Sequence, residues 1–277
     1  MIKATAFIIL TGAVIIFCMF LPFIPGKYDG MAVLISFMSQ VFGFAGATLA
    51  FTGLIWALTK KNKTNQRRIN RRFMVAVLVE LAVIATIVAL IPLSEGNILF
   101  AVVFLGICSY IIARLYIHFA RSPARISPKT IQLCLIAIPV IVICVRFLFI
   151  EKAVEFSRNM AIANCADLIA RIERYHERNG RYPLSIQALR GDIYPGVTGV
   201  AEYFYEPNGE AYNIYFKQFS GELDVDEIVM YNKLDQHAFA AHTLDILEYS
   251  GEELAARRGD RQQTRLSQPH WVSIRFD

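Results

Sequence analysis

Long apolar runs alternate with short polar loops over the first 150 residues of this chain. Five stretches are apolar over roughly 4–24, 31–59, 73–93, 98–120 and 130–150. A helix needs about 20 apolar residues to cross a bilayer, and each stretch provides that length. The pattern therefore predicts five transmembrane helices.

The pattern changes after residue 150 from continuous apolarity to a helical stripe. Ala161, Cys165, Leu168, Ile172 and Tyr175 follow one another in steps of four and three. This spacing predicts that the fifth span continues as one helix from about 130 to 179, near 75 Å long. Packing against its own domain is the main interpretation of the stripe. A coiled coil with a second chain, and thus an oligomer, is the alternative.

A polar segment closes this helix with a well-defined turn. The residues that form the turn are Asn179, Gly180, Tyr182, Pro183 and Ser185. Glycine takes the left-handed position after the helix, the residue before proline is extended, and serine N-caps a short helix. Leu184 and Leu189 are expected to pack together across that cap.

The residues after this turn read as strands. Residues 202–206 and 211–218 flank a Pro-Asn-Gly-Glu turn, and 227–232 and 271–276 read as two more strands. Residues 251–266 mix both charge signs and read as a solvated helix and arm. A long helix on a small antiparallel sheet buries both apolar faces.

The predicted fold class is therefore an all-α membrane region of five transmembrane helices plus a C-terminal α+β domain. The expected divisions are a four-span region over 1–129, a fifth span over 130–150, and an outer domain over 151–277.

Charge divides the chain into the same two parts and predicts its orientation. Residues 1–150 hold 14 Lys/Arg against 3 Asp/Glu, and residues 151–277 hold 14 against 20. Eleven of the cations lie at the N-terminus and in the loops after spans two and four, whereas the alternate loops hold only Lys27. By the positive-inside rule the N-terminus is cytoplasmic and residues 151–277 are periplasmic. Because the positive charge lies in membrane loops, nucleic-acid binding is not expected.

Two charged residues lie inside predicted spans and form the first candidate site. Glu80 and Arg114 lie about 10 and 9 Å from the cytoplasmic ends of neighbouring antiparallel helices. We expect an ion pair between them, with Tyr110 and His118 one turn from Arg114. A structural staple is the main interpretation, and a proton or ion relay is the alternative. Arg146, about four residues from the outer end of span five, is close enough to snorkel to the interface.

The outer domain resembles a known family. The helix ending Ile172-x-x-Tyr175, the run from Asn179 to Pro183 followed by Ser185-x-x-Ala188-Leu189, and the hairpin sheet look like the major pseudopilin of type II secretion systems. The resemblance covers about residues 135–235. It implies a helix-plus-sheet module used for assembly or protein contact, without catalysis. The Gly-Phe leader motif of that family is absent before span five, and four additional spans precede the helix, so the fold is carried over and the secretion role is not.

The resemblance also implies an acidic loop beside the sheet that binds calcium. The candidate ligands here are Glu222, Asp224, Asp226 and Glu227. Oxygen donors at alternate positions suit Ca²⁺, but the glycine and terminal-glutamate spacing of an EF-hand loop is missing. A solvated acidic loop is therefore the main interpretation, and no metal or cofactor is expected.

The sequence contains none of the common catalytic motifs. It has no Gly-x-Ser-x-Gly, His-Glu-x-x-His, Cys-x-x-Cys or glycine-rich phosphate loop, and His237, His242 and His270 read as scattered surface or packing residues. We expect a non-enzymatic protein of the bacterial inner membrane whose partners are the bilayer and another protein. The alternatives are a transporter or ion-coupled accessory that uses Glu80 and Arg114, and a membrane-bound hydrolase.

Overall fold

The computed structural model describes residues 2–59, 65–94, 96–121, 127–189, 192–208, 210–221, 226–237 and 261–276. These residues are mostly helical, with one small antiparallel sheet of five strands. The helices are α1 (Ile2–Phe20), α2 (Gly30–Leu58), α3 (Gln66–Ser94), α4 (Ile98–Arg121) and α5 (Pro128–Asn179). All five are long and apolar enough to cross a membrane.

The chain divides into two compact units, and each is described by itself. The first unit comprises residues 1–20 and 34–150, and the second comprises residues 21–33 and 151–277. The second unit therefore holds the expected outer domain together with the connection between α1 and α2. The sequence did not predict that this connection belongs to the domain.

The first unit is a bundle of helices with a small apolar centre. Leu34 and Met38 of α2 and Val77, Ile84 and Val88 of α3 are buried together. At the other end of these two helices, the ring of the fully buried Trp56 stacks on Phe73 at 5.6 Å, and its Nε1 donates to Asn70 Oδ1 at 3.0 Å. The short α2–α3 connection makes the two helices neighbours, and these contacts hold both ends of the pair.

The helix α5 is continuous over 52 residues, as the sequence predicts. At about 1.5 Å per residue it is about 78 Å long. Pro139 lies inside it and lacks the N–H of that turn. The apolar stripe of its second half is buried, and Ala161, Cys165, Leu168 and Ile172 have no exposed surface.

The second unit packs this stripe against the sheet. The strands are β1 (Phe204–Asn208), β2 (Ala211–Phe219), β3 (Asp226–Asn232), β4 (Arg261–Arg265) and β5 (Trp271–Phe276), in the spatial order β1-β2-β3-β5-β4. Tyr212, Ile214 and Phe216 of β2 alternate towards the helix and are fully buried, as their period-two spacing predicts. Each large apolar side chain buried in this way contributes roughly 1.5–3 kcal/mol, as an upper estimate.

Two local predictions are wrong. Residues 261–265 form the edge strand β4 and not a solvated arm, and they pair with β5 from Arg261–Phe276 to Arg265–Val272. Leu184 is 76% exposed and does not pack across the Ser185 cap, although Leu189 contacts the core. The alternation of apolar and polar residues that marks a strand is missing from β4, because its five residues are all polar. An edge strand needs no apolar face of its own.

Candidate functional site

A stretch of the α1–α2 connection pairs with an extended segment of the second unit. We call residues 22–29 the strap. The Gly26 N–H donates to Gly196 O at 3.0 Å, the Thr198 N–H donates to Ile24 O at 3.0 Å, and Pro25 and Val197 lie opposite each other as an isolated antiparallel pair. Two more backbone hydrogen bonds join the two ends of the strap to the same segment. The Asp29 N–H donates to Thr198 O, and the Gly199 N–H donates to Pro22 O.

Two glycines let the strap approach this closely. A Cβ on Gly199 would lie 2.7 Å from Pro22 Cβ and 2.8 Å from Pro22 O, and one on Gly26 would lie 2.8 Å from Thr198 Oγ1. Real Cβ atoms do not come so close to backbone, so a side chain at Gly199 would displace the strap. The hydroxyl of Thr198 adds a bond to Ile24 O at 3.0 Å.

Beside the strap lies an open groove of about 530 Å³, which we call the strap groove. Three separate segments line it: the strap, the middle of α5, and residues 192–196. Its lining residues are Pro25, Gly26, Lys27, Met160, Asn164, Asp167, Leu168, Asp192, Ile193, Tyr194 and Gly196.

The strap groove combines apolar surface with a few charges. Asp167 is paired with Arg171 one turn along α5 at 2.5 Å, and Asn164 Nδ2 donates to Pro195 O at 2.7 Å, which fixes one wall. Tyr194 is 57% exposed and presents its ring to solvent. Its described lining contains no Ser, Cys or His side chain. An exposed aromatic ring beside a few charges is a combination also found at protein–protein interfaces.

Glu227, one of the candidate calcium ligands, is buried on the helix-facing side of the sheet and not in a solvated loop. Its Oε1 accepts from Arg158 Nη1 at 2.7 Å and from Ser273 Oγ at 2.6 Å, and Arg275 Nη2 lies 3.9 Å from its Oε2. Its side chain has no exposed surface. Glu222 and Asp224 lie outside the described residues, as does the side chain of Asp226. Among the residues that the structure describes, no group of three His, Cys, Asp or Glu converges as a metal site.

Around Glu227 the second unit buries a polar cluster that the sequence did not reveal. Gln218 lies opposite Glu227 in the β2–β3 register, and its Nε2 donates to Ser157 Oγ at 2.9 Å. Ser157 and Arg158 project from α5, so the cluster fastens that helix to the middle of the sheet. Inward-facing polar residues on a strand are the sequence signal that could have identified it, because they interrupt the apolar alternation.

Glu80 and Arg114 do not pair with each other. Glu80 Oε1 instead accepts from Thr52 Oγ1 of α2 at 2.5 Å, while its Oε2 is buried without a hydrogen bond. Arg114 is exposed and its guanidinium lies 5.9 Å from the ring centroid of Tyr110. Equal depth brings two residues together only if both face the shared helix interface, and Glu80 faces α2. The side chain of His118 lies outside the described residues.

Arg146 binds polar and aromatic groups of α2. Its Nε donates to Gln40 Oε1 at 2.9 Å, and its guanidinium lies 4.7 Å from the centre of the Phe44 ring. Gln40 Nε2 donates in turn to Ser36 Oγ at 3.4 Å, and Ser36 donates to Met19 O at 2.5 Å. This chain of bonds joins α5, α2 and α1, and two of its three bonds link residues that are distant in sequence.

The turn after α5 forms as predicted. Gly180 has φ of +67° and its N–H bonds to His176 O at 2.8 Å. Ser185 caps the 3₁₀ turn Ile186–Ala188 by accepting from the Gln187 N–H at 3.2 Å. Asn179 also stabilises the end of α5, because its Nδ2 donates to Tyr175 O at 2.8 Å.

The residues around this turn form an aromatic and polar cluster. Tyr182 is buried, stacks on His176 at 4.2 Å and meets Tyr212 edge-on at 4.9 Å, and the carbonyl of Pro183 accepts from Tyr205 OH at 2.8 Å. Tyr182 and Pro183 therefore anchor the turn in the core, whereas Asn179, Gly180 and Ser185 lie at the surface.

Glu173 has two partners that its sequence position does not predict. Tyr212 OH donates to its Oε1 at 2.9 Å and Lys233 Nζ donates to its Oε2 at 2.9 Å. Burial, and then the bond to Glu173, raise the pKa of Tyr212 well above its usual range. The bond to Glu173 also raises the pKa of Lys233.

Two of the three histidines expected to be scattered meet beside the end of β3. His237 Nε2 lies 3.0 Å from His270 O, and His270 Nδ1 lies 3.1 Å from Asp235 Oδ1. Asp235 and His270 both adopt positive φ, at 57° and 66°. His242 lies outside the described residues. The Cys165 thiol is fully buried, and burial raises its pKa, so it is a packed thiol.

Comparison of the chain with family models, with curated proteins and with solved structures gave no match in any of the three.

Proposed function

We propose that this chain is a non-enzymatic protein of the bacterial inner membrane that presents a pilin-like periplasmic domain to a protein partner. The proposed domain is the second unit, in which a long helix packs on an antiparallel sheet. That arrangement and the sequence of the turn support the pilin-like fold. The proposed binding surface is the strap groove.

One observation carries the proposal: the strap is bonded into the same unit as residues 151–277. If α1 and α2 cross the membrane, the connection between them must lie on the side where the domain lies. The distribution of Lys and Arg favours an outer position for that connection, and five crossings would bring the chain after α5 to the same side. The two arguments are independent and agree.

The strap also supports the choice of the groove as the binding surface. It closes one wall by main-chain bonds, while Asn164 and Pro195 fix another, so the groove has a defined shape before a partner arrives. A preorganised surface loses less conformational entropy on binding. Exposed Tyr194 provides an aromatic contact of the kind enriched at interfaces.

Site-specific photocrosslinking in living cells tests this function. A photoreactive amino acid replaces Tyr194 in the groove and, as the matched control, Lys217, which is exposed on the opposite face of the sheet. We expect a discrete protein adduct from position 194 and none from 217. Protease added to intact spheroplasts should remove a C-terminal tag. Protection of that tag would contradict the orientation, and equal adducts at both positions would contradict the groove.

A second candidate function, an ion-coupled transporter or accessory, is supported by one observation. Glu80 Oε2 of α3 and Gln132 Nε2 of α5 are both buried without hydrogen bonds. An uncompensated carboxylate in a span is a common element of ion pathways. Glu80→Gln should abolish an ion flux if this function holds. It should leave the Tyr194 adduct intact if the interaction function holds.

A further inference from the structure

The helix α4 has an uncovered apolar face. In the most apolar 18-residue stretch of α4, only 6% is buried inside the structure. The corresponding share for α3 is 33%. Leu99, Val103 and Tyr110 are exposed by 79%, 51% and 64%, and they follow one another at helical spacing through Gly106. Arg114 continues the same face one turn after Tyr110 and is also exposed.

The charge of Arg114 has no anionic partner among the described residues. Its one described contact is the ring of Tyr110, with 5.9 Å between the guanidinium carbon and the ring centroid. A cation–π contact compensates only part of the cost of holding a guanidinium in hydrocarbon. Glu80, the one acidic residue in the five predicted spans, is bonded to Thr52.

The direction of the side chain keeps this charge away from the nearer end of the helix. Side chains on a helix lean towards its N-terminus, and the guanidinium of Arg114 accordingly lies over Tyr110 and points away from Arg121. Tyr110 is 11 residues from the end of α4, about 16 Å along the axis. With α4 in a bilayer whose apolar core is about 30 Å thick, the charge lies near the middle.

We propose that this face of α4 docks against a transmembrane helix of a partner protein that carries an aspartate or glutamate near the middle of the membrane. The proposal rests on the membrane placement made under the proposed function. Charge complementarity specifies the partner, because a carboxylate at that depth would compensate Arg114. Gly106 would let the backbone of the partner helix approach α4 closely, since no atom of the chain lies within 4 Å of a Cβ built on it.

Two other occupants fit this face less well. A second copy of the chain would have to offer Glu80, but its free Oε2 is buried against its own helices. An anionic lipid headgroup lies at the membrane surface, whereas the guanidinium points into the interior. A partner helix with a central carboxylate is therefore the occupant that the geometry favours.

The experiment uses the purified full chain in zwitterionic vesicles with a synthetic probe helix. The probe is a leucine–alanine helix of about 23 residues with one central glutamate beside a photocrosslinker, and its control has glutamine instead. A central position gives the carboxylate the same depth in either orientation of the probe. The measured quantity is the yield of adducts that mass spectrometry maps to α4.

We expect the glutamate probe to give about tenfold more adduct than the glutamine probe. Arg114→Gln should abolish this preference, Arg114→Lys should retain most of it, and Gly106→Leu should lower the yield of both probes. Tyr116→Phe, on another flank of α4, should change nothing.

Equal yields from the two probes, or a preference that survives Arg114→Gln, would overturn the proposal. An Arg114-dependent dimer of the chain alone would assign the face to a second copy, and loss of the preference on adding anionic lipid would assign it to a headgroup; both results overturn it. Release of the chain from vesicles at alkaline pH would reject the membrane placement itself, and the docking face with it. If the spheroplast protease result fails while the probe preference holds, only the orientation is wrong.

Discussion

At the scale of single residues, the buried carboxylate of Glu227 links α5 to the sheet. Arg158 and Ser273 both donate to it, and Arg158 itself is only 16% exposed. Such a pair adds little net stability compared with apolar residues, because desolvation offsets the attraction. Removing one partner is costly, since the other charge is then buried alone.

We therefore expect Glu227→Gln to lower the free energy of unfolding of the second unit by about 3 kcal/mol. The matched control is Asp167→Asn, which breaks the surface pair with Arg171 and should cost less than about 0.5 kcal/mol. Denaturant unfolding in detergent micelles, followed by circular dichroism, measures both. A loss in Glu227→Gln no larger than in the control would contradict the role of the buried pair.

The buried phenols predict how stability changes at alkaline pH. Burial raises the pKa of Tyr203 and Tyr212 far above the ordinary value, and raises the pKa of Tyr215 to about 12. In the unfolded chain these groups ionise near pH 10, whereas in the folded unit they remain protonated. Their contribution to the free energy of unfolding is therefore complete below about pH 10 and is lost as the pH rises further.

Tyr212→Phe should make this alkaline loss of stability less steep while lowering stability at neutral pH, since Glu173 loses a hydrogen-bond donor. Unfolding free energies measured between about pH 8 and pH 12 give both slopes. Identical slopes in the variant and the wild type would show that the Tyr212 phenol does not ionise differently in the two states.

At the scale of elements, the end of α5 depends on the left-handed backbone of Gly180. Its φ is +67°, and a Cβ built on it would meet no other atom within 4 Å, so any penalty of a side chain there comes from the backbone. Gly106 also has open space around it but lies within α4, where a side chain favours the helix.

Gly180→Ala should therefore destabilise the second unit by about 1 kcal/mol. Gly106→Ala, the matched control, should be neutral or stabilising by less than about 1 kcal/mol. Thermal unfolding of the full chain distinguishes the two signs. Equal shifts in the same direction would mean that the helix does not end at Gly180 in solution.

At the scale of the whole molecule, the strap joins a loop near residue 25 to a domain that begins more than a hundred residues later. Pro25 and Val197 form a non-hydrogen-bonded antiparallel pair, because the bonds run between their neighbours. The Cα atoms of such pairs lie about 4.5 Å apart, within the range that a disulfide spans.

Pro25→Cys combined with Val197→Cys should thus form a disulfide during expression, provided that both residues lie in the oxidising periplasm. A shift in mobility on non-reducing gels, reversed by reductant and absent from each single variant, measures it. Free thiols at both positions in folded protein would contradict either the strap or the orientation.

The sequence by itself determined the elements whose signals are local. Five helices, the uninterrupted α5, the inward face of β2, and the turn at Gly180 and Ser185 follow from apolar length, periodicity and capping chemistry, which act between residues a few positions apart. These features hold in the structure because the packing agrees with the local preferences.

Only the tertiary structure decided which polar groups meet. Glu80 binds Thr52 rather than Arg114, Arg146 binds Gln40, and Glu227 turns inward to Arg158, because partner choice depends on how each helix is rotated and how each strand is registered. The polar edge strand β4 and the strap are stabilised by main-chain hydrogen bonds. Every residue except proline can donate such a bond, so no pattern of side chains reveals where they form.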